Sequence, residues 1–149
     1  MKRLAIECWV PLILWLVVIF FFSTDVFAAS ETARIIIPIL RCFFPSLSFQ
    51  ELDLWHGVVR KFAHVTEYFV LSVFTYRSFK QEYADLTHAA VRTLWFVALA
   101  AGFDELHQRL TLFRAASPID VGYDCLGAVW ALWLITAYET RRLRAHSVL

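Results

Sequence analysis

Three short stretches of this sequence place carboxylates, imidazoles and cations among apolar neighbours. Carboxylates beside histidine can transfer protons or bind metal ions such as Zn²⁺, Mn²⁺ and Fe²⁺. Arginine and lysine bind phosphate and carboxylate groups, arginine often through two hydrogen bonds. The stretches predict a ligand-binding or catalytic site, whose candidate residues are Arg60, Lys61, His64, Glu67 and Tyr68; Asp104, Glu105, His107 and Gln108; Asp120 and Asp124; and Arg114 in the connection before the last pair.

Helical spacing aligns the side chains within these stretches. At 100° per residue, the five candidates in the range 60–68 fall within about 120° of a helix circumference. Asp120 and Asp124 lie one turn apart, on a face that Gly127 and Ala131 continue. Small residues at that spacing let neighbouring helices approach closely in lipid. The last stretch is therefore predicted to combine close packing and chemistry on one face.

The composition places these residues in a membrane protein. The chain has 149 residues, which suits one domain. Apolar residues make up 60% and charged residues 18%, whereas a soluble domain has roughly 45–50% and about 25%. A net charge of +1 gives no field for binding nucleic acid. The three cysteines have no C-x-x-C spacing, so neither a zinc ribbon nor a redox pair is predicted.

Four segments are apolar and long enough to cross a membrane, which takes about 20 residues. They cover the ranges 4–22, 58–76, 89–108 and 119–138. They predict an all-α bundle of four transmembrane helices that forms a single domain, 1–149. The alternative for the first segment is a signal peptide, with Lys2 and Arg3 before it and Ala28 at a cleavage site. Signal peptides contain about 7–15 apolar residues, so the longer segment favours a retained span.

The distribution of cations predicts the orientation. Eight lysines and arginines lie on the side that holds both termini and six lie on the other side, and the richer side is normally cytoplasmic. All three polar stretches then lie at the outer ends of their helices. A long outer connection covers 23–57, and its segment 33–44 is either an amphipathic helix in the membrane interface or a loop packed on the bundle. Pro38 is expected to kink any helix there.

The formal charges of the candidate residues do not balance. Three cations meet five carboxylates, which leaves a charge of −2 when both histidines are neutral. Protonation of His64 and His107 would balance it, and so would one divalent cation. Because a salt-bridged network without metal needs only the arginines and lysine present, and no dedicated zinc motif occurs, that network is favoured and no cofactor is assigned. The candidate ligands for a metal would be His64, Glu67, Asp104 and Asp124.

Several candidates also have purely structural interpretations. The sequence Ser-Pro-Ile-Asp that ends at Asp120 matches a helix N-terminus. Arg60 and Lys61 could be anchors that extend outward to the membrane surface. Tyr68 could be a packed aromatic whose hydroxyl bonds to Glu67 or His64. Carboxylates that face into a bundle need partners, and those hardest to explain structurally are Glu67, Asp104 and Asp124.

The motifs of the chain resemble those of the VanZ-like family of small membrane proteins. They are Arg60-Lys61-x-x-His64-x-x-Glu67-Tyr68, Asp104-Glu105-x-His107-Gln108, Arg114 and Asp120-x-x-x-Asp124-x-x-Gly127. Phe22-Ser23-Thr24 after the first span also resembles the family. The resemblance covers nearly the whole chain. It implies a multi-pass protein of the bacterial plasma membrane, in a family named for a protein that raises resistance to the lipoglycopeptide teicoplanin. The family often has Pro-Gly before the arginine, where this chain has Leu112-Phe113. The family positions matched here are Lys61, His64, Glu67, Asp104, Glu105, Gln108, Arg114, Asp120 and Asp124.

Two functions fit such a site. The first is a binding module at the outer leaflet that holds the head group of an envelope lipid or another amphiphile through its arginine and lysine side chains. The alternative is an intramembrane hydrolase or transferase, with or without a metal, that acts on a lipid-linked substrate; Glu67 or Asp104 would be the base and His64 would orient it. A purely structural clamp ranks below both, because polar contacts in lipid average only about 0.6 kcal/mol.

Overall fold

The computed structural model describes residues 2–83, 85–111 and 117–146, and every regular element in these ranges is a helix. The predicted all-α class is therefore confirmed. The elements are α1 (Lys2–Phe22), a 3₁₀ turn (Asp25–Phe27), α2 (Ala29–Phe43), α3 (Phe49–Glu82), α4 (Leu86–Leu110) and α5 (Pro118–His146).

The longest helix, α3, differs most from its predicted span. The apolar segment predicted the range 58–76, but α3 runs from Phe49 to Glu82. A capping box fixes its start: Ser48 Oγ accepts from the Glu51 backbone N–H at 3.4 Å, and the Ser48 N–H donates to Glu51 Oε2 at 2.8 Å. Hydrogen bonds from the Ser48 backbone and side chain lower the pKa of Glu51. Hydropathy identified only the apolar centre of α3, because a helix can continue beyond the hydrocarbon layer.

The long outer connection predicted for 23–57 is consequently wrong in its extent. That range contains the 3₁₀ turn, α2 and the first two turns of α3. The helix α2 continues through Pro38 and packs on α3, with Thr32 and Ile36 half-buried against the bundle. It thus combines features of both alternatives, since it is packed at one side and apolar at the other. Its exposed apolar side chains are Ile35, Ile39 and Phe43.

Two helices, α4 and α5, are each long and apolar enough to cross a membrane. The part of α1 from Ile6 to Phe22 qualifies in combination with Asp25–Phe43, as a pair bent by 67°. The described residues therefore contain two candidate spans, or three if the bent pair forms one. The helix α3 does not meet the same criterion of length and composition, because ionisable residues interrupt its apolar centre. The four-span arrangement stays a prediction.

The helix α3 lies at the centre of the bundle and packs against all four other helices, most extensively against α5. The two backbones meet at Gly127, where a Cβ atom would lie 2.2 Å from the Val65 carbonyl oxygen. The small residues of α5 therefore permit the close approach that their spacing predicts. The buried core beside this crossing contains Leu12, Ile19, Tyr68, Leu71, Val97, Ala101 and Ala128.

Candidate functional site

A cavity of about 200 Å³ opens between the end of α1, the 3₁₀ turn, α2, the first half of α3 and the end of α4. We call this cavity the polar pocket. Ser23, Thr32 and apolar side chains from the surrounding helices form part of its wall. The predicted site residues that line it are Arg60, His64, Glu67, Asp104 and Gln108. The polar pocket therefore joins two of the three polar stretches of the sequence.

Arg60 ties α3 to the chain segment that follows α1. Its Nη1 donates to the Phe27 carbonyl oxygen at 3.0 Å and to Thr32 Oγ1 at 3.1 Å. Thr32 Oγ1 also lies 3.0 Å from His56 Nε2. The interpretation of Arg60 as an anchor that extends to the membrane surface is therefore wrong. Its guanidinium turns inward because the 3₁₀ turn offers it a carbonyl acceptor.

Sequence reasoning missed two members of this network, Thr32 and His56. His56 lies four residues before Arg60 on α3, and this spacing was the one available signal. Because the helix was predicted to begin at 58, His56 was assigned to the outer connection. Thr32 gave no signal, since a threonine in an apolar segment is unremarkable.

His64 connects the polar pocket to α5. Its Nδ1 lies 3.2 Å from Asp124 Oδ1, and Asp124 is only 2% exposed. His64, Asp104 and Asp124 each offer one potential ligand atom, and these three atoms lie within 4.8 Å of one another. We call these residues the His64–Asp104–Asp124 cluster. The Gln108 amide donates to Asp104 Oδ2 at 2.8 Å and so fixes that carboxylate. Glu67, the fourth metal ligand considered from the sequence, lines the polar pocket but is not part of the cluster.

A second cavity, of about 560 Å³, lies between α1 and α4. We call it the apolar groove. Asp104 and Ile19 line both this groove and the polar pocket, so the two cavities adjoin. His107 Nδ1 lies 3.0 Å from Ser23 Oγ, a contact that joins the ends of α1 and α4 beside the groove. The apolar walls are Leu16, Ile19, Phe20, Phe96, Leu99, Ala100 and Phe103.

Tyr68 lies where the apolar groove meets the cluster. Its side chain is fully buried, and its hydroxyl faces Asp104 and Asp124. The hydroxyl approaches the Asp104 carboxylate but completes no well-aligned hydrogen bond with it or with any other described residue. The expected bond to Glu67 or His64 is therefore wrong. A buried hydroxyl that lacks a good hydrogen bond is destabilising.

Lys61 points away from the polar pocket and toward α5. Its Nζ lies 3.5 Å from Asp120 Oδ1 and 4.3 Å from the centroid of the Tyr123 ring. Neighbouring residues on a helix differ by 100° in direction, so Arg60 and Lys61 reach different helices. Asp120 also occupies the first turn of α5, as the N-terminal sequence pattern predicts. Lys61 and Asp120 therefore form an ion pair between helices outside the polar pocket.

Glu105 faces a different side of α4 from Asp104. It is buried and lines a separate cavity beside Arg109 and Pro118, near the start of α5. Arg114, which the motif comparison assigned to the site, lies outside the described residues. The sequence therefore overestimated how many candidates share one cavity, since Lys61, Glu105 and Asp120 are directed elsewhere.

Comparison with known proteins gives one match. No curated protein and no solved structure matches this chain. The family model described as VanZ/LLP1 matches residues 8–139, a range that contains the polar pocket, the apolar groove and the His64–Asp104–Asp124 cluster. This match confirms the family resemblance that the motifs indicate. The chain therefore belongs to the VanZ/LLP1 family.

Proposed function

We propose that this protein spans the bacterial plasma membrane four times, with both termini in the cytoplasm, and binds the head group of an envelope lipid or a similar amphiphile at the outer leaflet. The single observation that carries the proposal is that Asp104 and Ile19 line both the polar pocket and the apolar groove, so the two cavities are adjacent. An amphiphile needs both environments, one for its head group and one for its hydrocarbon chain.

The proposed topology uses α1, α3, α4 and α5 as the four spans. With the start of α1 in the cytoplasm, the ends of α1 and α4 and the starts of α3 and α5 lie on the outer side. The contact Ser23–His107 connects the ends of α1 and α4, and the contact His64–Asp124 connects the middle of α3 to the second turn of α5. The helix α2 connects α1 to α3 on this outer side. As an interfacial helix it would contact lipid through its exposed apolar side chains.

The polar pocket has donors and acceptors for a head group of mixed charge. Arg60 uses Nη1 for protein contacts, while its Nε and Nη2 groups make no hydrogen bond within the described ranges. A phosphate or carboxylate would bind there through paired hydrogen bonds. The carboxylates of Glu67 and Asp104 accept hydrogen bonds, so hydroxyl or ammonium groups of the same ligand would bind beside them. This combination favours a phosphorylated sugar lipid or a zwitterionic lipid.

The test is direct binding by the full chain in nanodiscs, measured by native mass spectrometry with lipid-linked cell-wall precursors and lipids of the teichoic acid class. A hydrogen bond to a charged group contributes about 1.5–3 kcal/mol, so we expect Arg60→Gln to weaken binding about 10- to 100-fold. Lys61→Gln is the matched control, because the adjacent Lys61 side chain faces α5. Unsaturable binding, or equal losses in both variants, would refute the proposal.

The phenotype implied by the family name extends the proposal to cells. We expect expression of the chain in a susceptible Gram-positive host to raise the inhibitory concentration of teicoplanin, and the Arg60→Gln variant to raise it less. The lipid-binding and antibiotic readouts are separate, so a protein that binds lipid without changing susceptibility would limit the proposal to binding.

A second candidate function is an intramembrane hydrolase or transferase that acts on a lipid-linked substrate. The observation that favours it is the buried Asp124 carboxylate held against His64, which opens into the polar pocket. A carboxylate in this position orients an imidazole that accepts a proton. Release of product from the same lipids would identify the enzyme, and Asp124→Asn would then abolish that release.

A further inference from the structure

The structure brings three potential metal ligands from three helices to one point. The three residues are His64 on α3, Asp104 on α4 and Asp124 on α5. Each offers one potential ligand atom, and these three atoms lie within 4.8 Å of one another. The 3.2 Å between His64 Nδ1 and Asp124 Oδ1 is close to the separation of about 3.4 Å between two ligands of a tetrahedral ion at bond lengths near 2.1 Å. We propose that the His64–Asp104–Asp124 cluster binds one divalent transition-metal ion, such as Zn²⁺ or Mn²⁺.

The two carboxylates of the cluster carry more negative charge than its one imidazole can offset, because a protonated His64 would pair with Asp124 alone. Two carboxylates lie close together in the bundle, and Asp124 is almost completely buried. No lysine or arginine of the described ranges forms an ion pair with Asp104 or Asp124. A buried carboxylate without compensation costs several kcal/mol. One divalent ion neutralises both carboxylates while His64 stays neutral, as a metal-bound imidazole must be.

The Tyr68 hydroxyl is an independent sign that a component is needed at this point. It is fully buried, faces Asp104 and Asp124, and completes no hydrogen bond with a described residue. Water or a ligand group bound to the metal would lie between the carboxylates and accept this hydrogen bond. The unpaired hydroxyl is then explained by the same ion that neutralises the carboxylates.

The donor set selects the class of metal. An imidazole nitrogen with two carboxylates suits Zn²⁺, Mn²⁺ or Fe²⁺, whereas Mg²⁺ and Ca²⁺ prefer oxygen ligands alone. Three protein ligands leave at least one coordination position free. Because His64 and Asp104 line the polar pocket, that position faces the cavity proposed to hold a head group. A phosphate bound there would coordinate the ion.

Gln108 has the role of an outer partner in this site. Its Nε2 donates to Asp104 Oδ2 at 2.8 Å, which leaves the other carboxylate oxygen available for the ion. Residues that hold metal ligands in place typically contribute 10- to 100-fold to metal affinity. Gln108→Ala should therefore weaken metal binding without removing a ligand.

The experiment is a titration of the purified full chain, stripped by chelation, in micelles of an uncharged maltoside detergent. Co²⁺ is the probe, because its visible absorption reports tetrahedral coordination directly, and Zn²⁺ is added in competition. We expect one Co²⁺ per chain, displaced by one Zn²⁺. Asp124→Asn and His64→Ala should lower the affinity at least 100-fold, and Gln108→Ala about 10- to 100-fold. Asp120→Asn is the control, since Asp120 lies one turn before Asp124 and pairs with Lys61.

Absence of the cobalt spectrum in the wild-type chain, or equal losses in Asp124→Asn and Asp120→Asn, would overturn the proposal. Asp104→Asn is the second variant in case Asp124→Asn does not fold, because Asp104 is only half-buried; helical content by circular dichroism and a monodisperse elution profile check the fold. The titration contains no phosphorylated or zwitterionic lipid and is therefore independent of the proposed lipid binding. Arg60→Gln should weaken lipid binding and leave the cobalt spectrum unchanged.

Discussion

The helix α3 presents one side to α5 and another to α1, α2 and α4, and the two sides differ in how completely they are filled. Toward α5 the backbones meet at Gly127, and Ala128 and Ala131 are fully buried. Toward the other helices lie the polar pocket and the apolar groove. The tight side fixes His64 against Asp124, while the open side leaves space around the same histidine. The closely packed interface between α3 and α5 thus positions His64 and Asp124, and His64 also faces the polar pocket.

The largest effect should come from Gly127→Ala on the tight side. The new methyl group would lie 2.2 Å from the Val65 carbonyl oxygen, a backbone atom that cannot rotate away, so α3 and α5 must separate. We expect the free energy of unfolding in detergent micelles to fall by about 3 kcal/mol.

Gly122→Ala on the same helix is the matched control for this change. A Cβ atom at Gly122 meets no atom within 4 Å, and alanine stabilises a helix by roughly 0.5–1 kcal/mol relative to glycine. Similar losses at both positions would mean that the close crossing of α3 and α5 does not control stability.

The open side should tolerate added bulk without loss of stability. Ala100→Phe fills part of the apolar groove, so we expect at least a 10-fold loss of affinity for a long-chain amphiphile, about 1.4 kcal/mol. Affinity for an analogue without the chain should stay unchanged, as measured by native mass spectrometry. Val129→Phe adds the same ring to an exposed position on α5 that lines none of the cavities described above. A loss in both variants would argue against a chain in the groove.

A smaller effect is expected where α2 joins the open side. Thr32→Val removes the hydroxyl that accepts from Arg60 and contacts His56, at a cost of about 1 kcal/mol. Amide hydrogen exchange in α2 should become faster, while exchange in α5 stays the same. Thr66→Val is the control, because among the described residues the Thr66 hydroxyl bonds only to the Phe62 carbonyl oxygen, within α3. Unchanged exchange in α2 would show that the network does not hold that helix.

The smallest effect, and one of opposite sign, is expected for Tyr68→Phe. This substitution removes a buried hydroxyl that completes no hydrogen bond with a described residue, so the metal-free protein should gain up to about 1 kcal/mol in thermal unfolding experiments. With Zn²⁺ present, the gain should disappear or reverse. A clear loss of stability in the metal-free state would show that the hydroxyl has a partner after all.

Two simple rules explain how much of the site could be predicted from sequence. Helical periodicity placed polar residues on common faces, and alternating helix directions brought the end of α4 to the starts of α3 and α5. Both rules apply to Asp104 and Asp124, which the structure places in one cluster with His64. The fold class followed from the apolar composition together with the length of the apolar segments.

The details that sequence could not supply depend on rotation about helix axes and on chain beyond the hydrocarbon. Arg60 and Lys61 are adjacent, yet one contacts the 3₁₀ turn and the other α5. Asp104 and Glu105 diverge in the same way. A rotation of a few tens of degrees about the helix axis changes which of two neighbouring residues faces a cavity, and hydropathy does not determine that rotation. The first turns of α3, near Phe49, contain polar residues, so hydropathy did not identify them as part of the helix.

The apolar groove has a consequence for how an occupant would arrive. Its walls include Phe20, Leu99 and Phe103, whose side chains are largely exposed on the outside of the bundle. In a bilayer these side chains would face acyl chains rather than water. A ligand could therefore enter sideways by diffusing within the leaflet and never pass through the aqueous phase. Solubility in water would then set no limit on the molecules that this protein can recognise.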